Sequence, residues 1–308
     1  MVDNIFAWIV FAIVIAILLF IDLYLTDKRK ERISVKSSLI WSGVWISTAF
    51  LFCLFIYFFI ESGHTKAIEF LTGFLIEKSL SVDNLFIFLM IFKVMNVSNA
   101  NQPHVLKWGI LSAIIFRVLF IIIGVGLIKL FQPVTYIFGI ILLYAAYKMA
   151  FAPEYKIDLE KNPIIKFIKR YFNMNSEYHG RKFFLKEKKK VFVTSMFLTF
   201  ILIESSDIIF AVDSIPAVIA ITRDSFIIIT SNIFAILGLR ALYFAIAGIV
   251  DIFVYLKYGV ALILFYVGVK MMISEFYKIP SVVSLFIILA LLGGSIIISL
   301  LHKRSISQ

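Results

Sequence analysis

The chain has 308 residues, of which 62% are hydrophobic and 16% charged, and its mean hydropathy is +1.01. A soluble globular domain is closer to half apolar, so this composition excludes a water-surrounded fold and calls for many membrane-crossing segments of about 20 apolar residues each. The net charge of +11 would point to nucleic acid in a soluble protein. Here Lys and Arg gather between apolar stretches, where they mark cytoplasmic loops, and no nucleic-acid partner is expected.

The first segment begins Asp3-Asn4, runs apolar to Leu25 and ends on Asp27-Lys28-Arg29-Lys30-Glu31-Arg32. A secretory signal starts with positive charge and has a shorter core, so these are the flanks of a retained first helix with its amino end outside. Asp22, near the end of that helix, reads as an interfacial residue. Counting onward gives nine spans, at 4–25, 38–60, 67–92, 105–130, 134–152, 191–221, 226–249, 258–274 and 279–301.

Orientation follows from the basic residues. Lys28 to Lys36, the basic stretch 153–190 and His302-Lys303-Arg304 all fall on one side of a nine-span layout. That places the amino terminus outside and the carboxyl terminus in the cytoplasm. The 153–190 loop carries Pro153 and Pro163, and its half-periodic stretch from Ile164 to Phe172 suits either a surface-lying amphipathic helix or a solvated linker. The expected fold is therefore all-α, one polytopic transmembrane domain over 1–308 lodged in the lipid bilayer.

An internal repeat organises the middle of the chain. Ser81-Val82-Asp83-Asn84-Leu85-Phe86 aligns with Ser205-Ser206-Asp207-Ile208-Ile209-Phe210 at an offset of 124. Arg117-Val118-Leu119-Phe120 aligns with Arg240-Ala241-Leu242-Tyr243 at 123, and Tyr144 to Met149 with Tyr266 to Met271 at 122. Each copy, 67–152 and 191–274, holds three spans. An odd number reverses the second copy, giving an inverted repeat with its site at the repeat interface.

Charge inside the spans carries the chemistry. A charged side chain at mid-membrane costs at least about 2.5–3.5 kcal/mol, yet span three holds Glu77, Lys78 and Asp83, with Ser79, Ser81 and Asn84. Span six holds Glu204, Asp207 and Asp213, with Ser205, Ser206 and Ser214. Glu77, Ser81 and Asn84 share one helix face, as do Glu204, Asp207 and Ser214. Pro216 removes a bond to the carbonyl of Val212 and predicts a broken or kinked segment around 212–216, with a weaker break near 79–81.

Carboxylates, an Asn oxygen, Ser hydroxyls and backbone carbonyls make a hard oxygen donor set. It suits Mn2+, Ca2+ or Mg2+ over Zn2+ or Cu+. The lone Cys53 excludes an intrachain disulfide or thiolate cluster, and His64, His104, His179 and His302 fall in or near connections. The competing structural reading is that the acids pair with Lys78, Arg117, Lys148, Arg240 and Lys270 to hold helices together. Lys148 and Lys270 sit near span ends, where they can snorkel. Arg117 and Arg240 lie deeper and read as paired gates or counter-charges. The chain has no GxxxxGK[ST], HExxH or GxSxG motif, so ATP-driven pumping and the corresponding hydrolytic enzymes are not expected.

The segments Glu77 to Phe86 and Glu204 to Pro216 closely resemble the two signature segments of the TerC family. Ser231 to Phe244, then Tyr255 to Gly259 and Val267 to Met271, continue the resemblance across essentially the whole chain. It implies a bacterial inner-membrane protein, named for tellurium resistance, that exports Mn2+. By match to its motifs, Glu77, Asp83, Asn84, Glu204, Asp207 and Asp213 are the candidate metal ligands. Ser81, Ser206 and Ser214 are additional oxygen donors. The expected activity is secondary transport with Mn2+ as substrate and no resident cofactor. The alternative is a non-transporting membrane partner that assists metal loading or the stress response of exported proteins. The residues do not choose between a monomer and a homo-oligomer.

Overall fold

The computed structural model describes residues 2–22, 35–131, 133–151, 173–175, 182–187, 190–247, 255–274, 276–277 and 279–306. Within them run helices α1 (Val2–Phe20), α2 (Val35–Phe59), α3 (Gly63–Val94), α4 (Gln102–Leu130) and α5 (Val134–Phe151). Strands β1 (Asn173–Asn175), β2 (Phe184–Glu187) and β3 (Lys190–Thr194) follow. Helices α6 (Ser195–Ile219), α7 (Ser225–Ile236), α8 (Leu239–Ala247), α9 (Leu256–Ile273) and α10 (Ser281–Ile306) complete the chain.

Each expected span coincides with a helix or, for 226–249, with the α7–α8 pair. By length and apolarity, six cross a membrane on their own: α2, α4, α5, α6, α9 and α10. The pair α7–α8, bent by 40°, makes a seventh. The remaining two expected spans differ for identifiable reasons. The apolar part of α1 is only Ile5–Phe20, and α3 has length to spare but carries charges within it. The distribution of side chains is that of a bilayer protein. Phe58, Ile115, Leu130 and Phe286 face outward, while Glu77, Asn84, Arg117, Glu204 and Arg240 are buried.

Helix α3 is the axis of the bundle, touching α2, α6, α7, α8 and α10. Helix α4 packs on α6 and α7, and α5 lies against α9. Gly139 faces Met272 and Gly268, while Gly268 faces Leu143. This register is antiparallel, and it is close because neither glycine has a side chain to hold the backbones apart. Gly124 of α4 lies against Ile219 and Ile215 of α6, whereas Gly126, Gly293 and Gly294 have no neighbour within 4 Å of where a Cβ would stand.

Neither α3 nor α6 is interrupted: α3 is continuous through 79–81 and α6 is continuous through Pro216. The break lies instead between α7 and α8, at Leu237 and Gly238. Gly238 takes φ +77°, a left-handed conformation open to glycine. Trp45 of α2 stands where its Cβ would be, 2.5 Å from the ring.

The span expected from 191 starts at Ser195, because 190–194 is strand. The Thr194 hydroxyl accepts from the N–H of Phe197 and caps α6. β3 lies between β1, parallel to it, and β2, antiparallel. So the second half of the basic loop contains a small sheet. The expected surface helix at Ile164–Phe172 lies outside the described residues.

Candidate functional site

The polar face of α3 meets α4, α6 and α7 in the middle of the bundle. Arg117 Nη1, from α4, donates to Glu77 Oε1 at 2.5 Å, to Ser214 Oγ at 2.5 Å and to Asn232 Oδ1 at 3.4 Å. One guanidinium thus ties four helices together. Glu77 is 0% exposed, so the pair is shielded from water and from salt. Asn232, which contributes to this site, was not among the residues expected from sequence. It lies in the hallmark stretch Ser231 to Phe244, and a buried amide within an apolar run was the signal available.

Glu204 and Asp207, one turn apart on α6, are both buried. Gly109 of α4 leaves room for Glu204: a Cβ there would stand 3.3 Å from Oε1. Asp207 lines a water-sized cavity with Leu85, Gly109, Ile203 and Arg240. Glu77 Oε2 and Asn84 Oδ1 are buried without a hydrogen-bond partner, and both carboxylate oxygens of Glu204 are buried outside normal hydrogen-bond geometry, with the Ser112 hydroxyl beside them. The serines behave differently from one another. Ser81 and Ser206 donate back to their own helix, to the carbonyls of Glu77 and Ile203, each at 2.7 Å, while Ser214 accepts from Arg117. The side chains of Asp83 and Asp213 lie outside the described residues. Among the described residues no group of three or more His, Cys, Asp or Glu side chains is assembled around one point.

The basic residues resolve the pairing question residue by residue. Arg117 holds Glu77. Arg240 Nη2 donates to the backbone carbonyl of Asp22 and to its Oδ1 at 3.5 Å. Asp22, at the end of the first span, is 1% exposed and is a buried partner of Arg240. Lys78 Nζ donates to the carbonyls of Ala235 and Leu237 at 3.1 and 3.3 Å, a cation at the C-terminal end of α7 where carbonyls lack helical partners. Lys270 does not snorkel: it is buried and its Nζ donates to Ser284 at 2.9 Å. Lys148, its repeat counterpart, is exposed.

Residues 62–307 match the model of the integral membrane protein TerC family. The chain belongs to the TerC family. Curated relatives extend the likeness into the first two helices. The "Putative membrane-bound redox modulator Alx" of Escherichia coli K12 is 42% identical over 299 residues, covering 95% of this chain and 93% of its own length. Its namesake in Photorhabdus laumondii is 40% identical with the same coverage. An "Uncharacterized membrane protein" of Rickettsia felis is 42% identical over 98% of this chain and all of its own. No solved structure matches this TerC chain.

Proposed function

We propose that this protein is a secondary transporter that exports a hard divalent cation, foremost Mn2+, across the bacterial inner membrane. The observation that carries the reading is the set of buried acceptor oxygens on Glu77, Asn84 and Glu204 that no donor meets in normal hydrogen-bond geometry. A buried acceptor left unmet costs about 1–3 kcal/mol, more when charged. The nearest guanidinium, that of Arg117, is already engaged by Glu77 Oε1, Ser214 and Asn232. A cation that prefers oxygen ligands is the partner such acceptors lack, and Asp207, Asp83 and Asp213 are further oxygen donors on the same two helices. Mn2+ itself comes from the family resemblance; the residues alone argue for a hard divalent ion.

In this reading 67–152 and 191–274 are inverted repeats, and the antiparallel α5–α9 contact supports it. The amino terminus is outside and the carboxyl terminus cytoplasmic, and the protein is not an enzyme. The relatives' name speaks of redox. This chain has one cysteine, Cys53, whose thiol donates to the carbonyl of Ala67 at 3.4 Å between α2 and α3. A dithiol relay within one chain is therefore not available to it.

The test is intracellular Mn2+, measured by mass spectrometry in a strain lacking its own Mn2+ exporters and expressing the full chain. Wild type lowers the metal content; Asp207→Asn does not. If both leave it equally unchanged, the transport reading fails. The second reading, a membrane partner for exported proteins, draws on the sheet at 173–194. It requires dependence on the 153–190 segment and not on the buried acids, so metal export that survives deletion of that segment argues against it.

A further inference from the structure

We infer that the carbonyl oxygens of Ala235 and Leu237, at the break between α7 and α8, form a cation-accepting station beside the transport site, with the Lys78 ammonium as its built-in occupant. By holding those oxygens, Lys78 denies them to the transported metal. The inference deepens the transport reading above and rests on it. It starts from the break itself. Leu237 leaves the helix at φ −57° and ψ 135°, and Gly238 follows at φ +77°, so the last carbonyls of α7 have no next turn to accept from. Ala235 and Leu237 are 0% and 1% exposed, and they stand at the negative end of the α7 dipole. Buried carbonyl oxygens in that setting call for a cation. Lys78 Nζ, 3.1 and 3.3 Å away, is one.

The sequence repeat shows that the lysine goes with the break. At the offset of 123, Leu237 and Gly238 correspond to Ile114 and Ile115, where α4 is continuous. At 124, Lys78 corresponds to Leu202, which is buried in an apolar cluster that Ile114 packs against. The copy with a whole helix has leucine at this position, and the copy that meets the broken helix has lysine.

The station adjoins the candidate metal site. Lys78 follows Glu77 in the chain, and the Glu77 carboxylate acts on the ammonium through its charge. Ala235 lies three residues beyond Asn232, about 4.5 Å along the helix. Asn232 accepts from Arg117 Nη1, which also donates to Glu77. A divalent ion at Glu77 therefore has two more hard oxygens close by, one helical turn from Asn232, and the ammonium already occupies them. A transported ion has to be bound weakly enough to leave. Two added carbonyl ligands would hold it back.

The experiment compares the full chain as wild type, Lys78→Met and Lys78→Arg. It measures Mn2+ flux into proteoliposomes with an entrapped fluorescent indicator, and the Mn2+ dependence of the thermal midpoint in detergent. Lys78→Met removes the charge from a side chain of similar length and opens the carbonyls to metal. Its KM for Mn2+ is expected to fall about tenfold, the factor that about 1.4 kcal/mol produces. Its maximal rate falls too, because a tighter-held ion leaves more slowly, and added Mn2+ raises its midpoint more than that of wild type. Lys78→Arg keeps a cation on the carbonyls and keeps the wild-type KM. A lysine that merely caps the helix gives a different pattern: in Lys78→Met the KM is unchanged or raised, and the midpoint drops equally with and without metal. Either result overturns the proposal while the transport reading stands. If Lys78→Met folds only when Mn2+ is present during purification, metal has taken the place of the ammonium and the proposal is supported; failure to fold even then overturns it. Absence of Mn2+ flux in wild-type vesicles overturns the transport reading, and with it the part given to Lys78.

Discussion

The Arg117–Glu77 pair gives the sharpest test of how the centre of the bundle is held. Both side chains are almost fully buried, at 4% and 0% exposure, and the N–O distance is 2.5 Å. Solvent does not screen the pair, so the figure for a buried pair applies: removing one partner costs about 3–5 kcal/mol, because the other charge is left uncompensated. Arg117→Met falls in that range and also forfeits the bonds to Ser214 and Asn232. Glu77→Gln costs less, since an amide oxygen still accepts from Arg117 while the guanidinium charge loses its counter-ion. Arg117→Met/Glu77→Gln removes both charges. What is left is chiefly the loss of neutral hydrogen bonds, about 1 kcal/mol each. The double variant should therefore be more stable than the sum of the singles by about 2 kcal/mol or more. Reversible unfolding of the purified chain in mixed micelles, titrated with SDS and followed by far-UV circular dichroism, measures all four corners of the cycle. Single costs that add within about 0.5 kcal/mol would mean that the two groups do not interact, and the argument falls.

Two further outcomes follow from the same geometry. Glu204 buries a carboxylate that meets only the Ser112 hydroxyl beside it, so Glu204→Gln should raise, or leave unchanged, the thermal midpoint of the metal-free protein while abolishing its stabilisation by added Mn2+. For wild type that stabilisation is about 2.7 kcal/mol when free metal is about 100 times Kd, and a variant still stabilised to the same degree removes Glu204 from the ligand set. Gly238→Ala should destabilise the fold by about 1–2 kcal/mol from the left-handed backbone alone and by more from the clash with Trp45. Trp45→Ala/Gly238→Ala should recover the clash but not the backbone cost, and thermal unfolding in detergent that shows no recovery would remove Trp45 as the obstacle.

The spans are legible in the sequence because hydropathy is a local property, and α3 reads as one of them despite the charges it carries. The polar face of α3 was equally plain, since a buried charge stands out against an apolar run. The break was misplaced for a physical reason. Pro216 removes one helical hydrogen bond, and α6 accommodates that without ending. α7 ends where Leu237 leaves the helical conformation and Gly238 takes a positive φ, and Trp45 of α2 restricts that position to glycine, a constraint that exists only after α2 has docked. Asp22 shows the same limit more sharply. At the end of a 19-residue helix a carboxylate reads as interfacial, because position along one helix is all the sequence supplies. Its burial depends on α1 being fixed by Trp8 and Phe11 against α7, which carries the start of α8, and with it Arg240, onto that carboxylate. Repeat symmetry pointed to Arg240 as the twin of Arg117 and so toward the acids of the repeat. The acid it found belongs to neither copy. The two arginines, alike in their sequence surroundings, are thus held by different partners, Arg117 by Glu77 and Arg240 by Asp22.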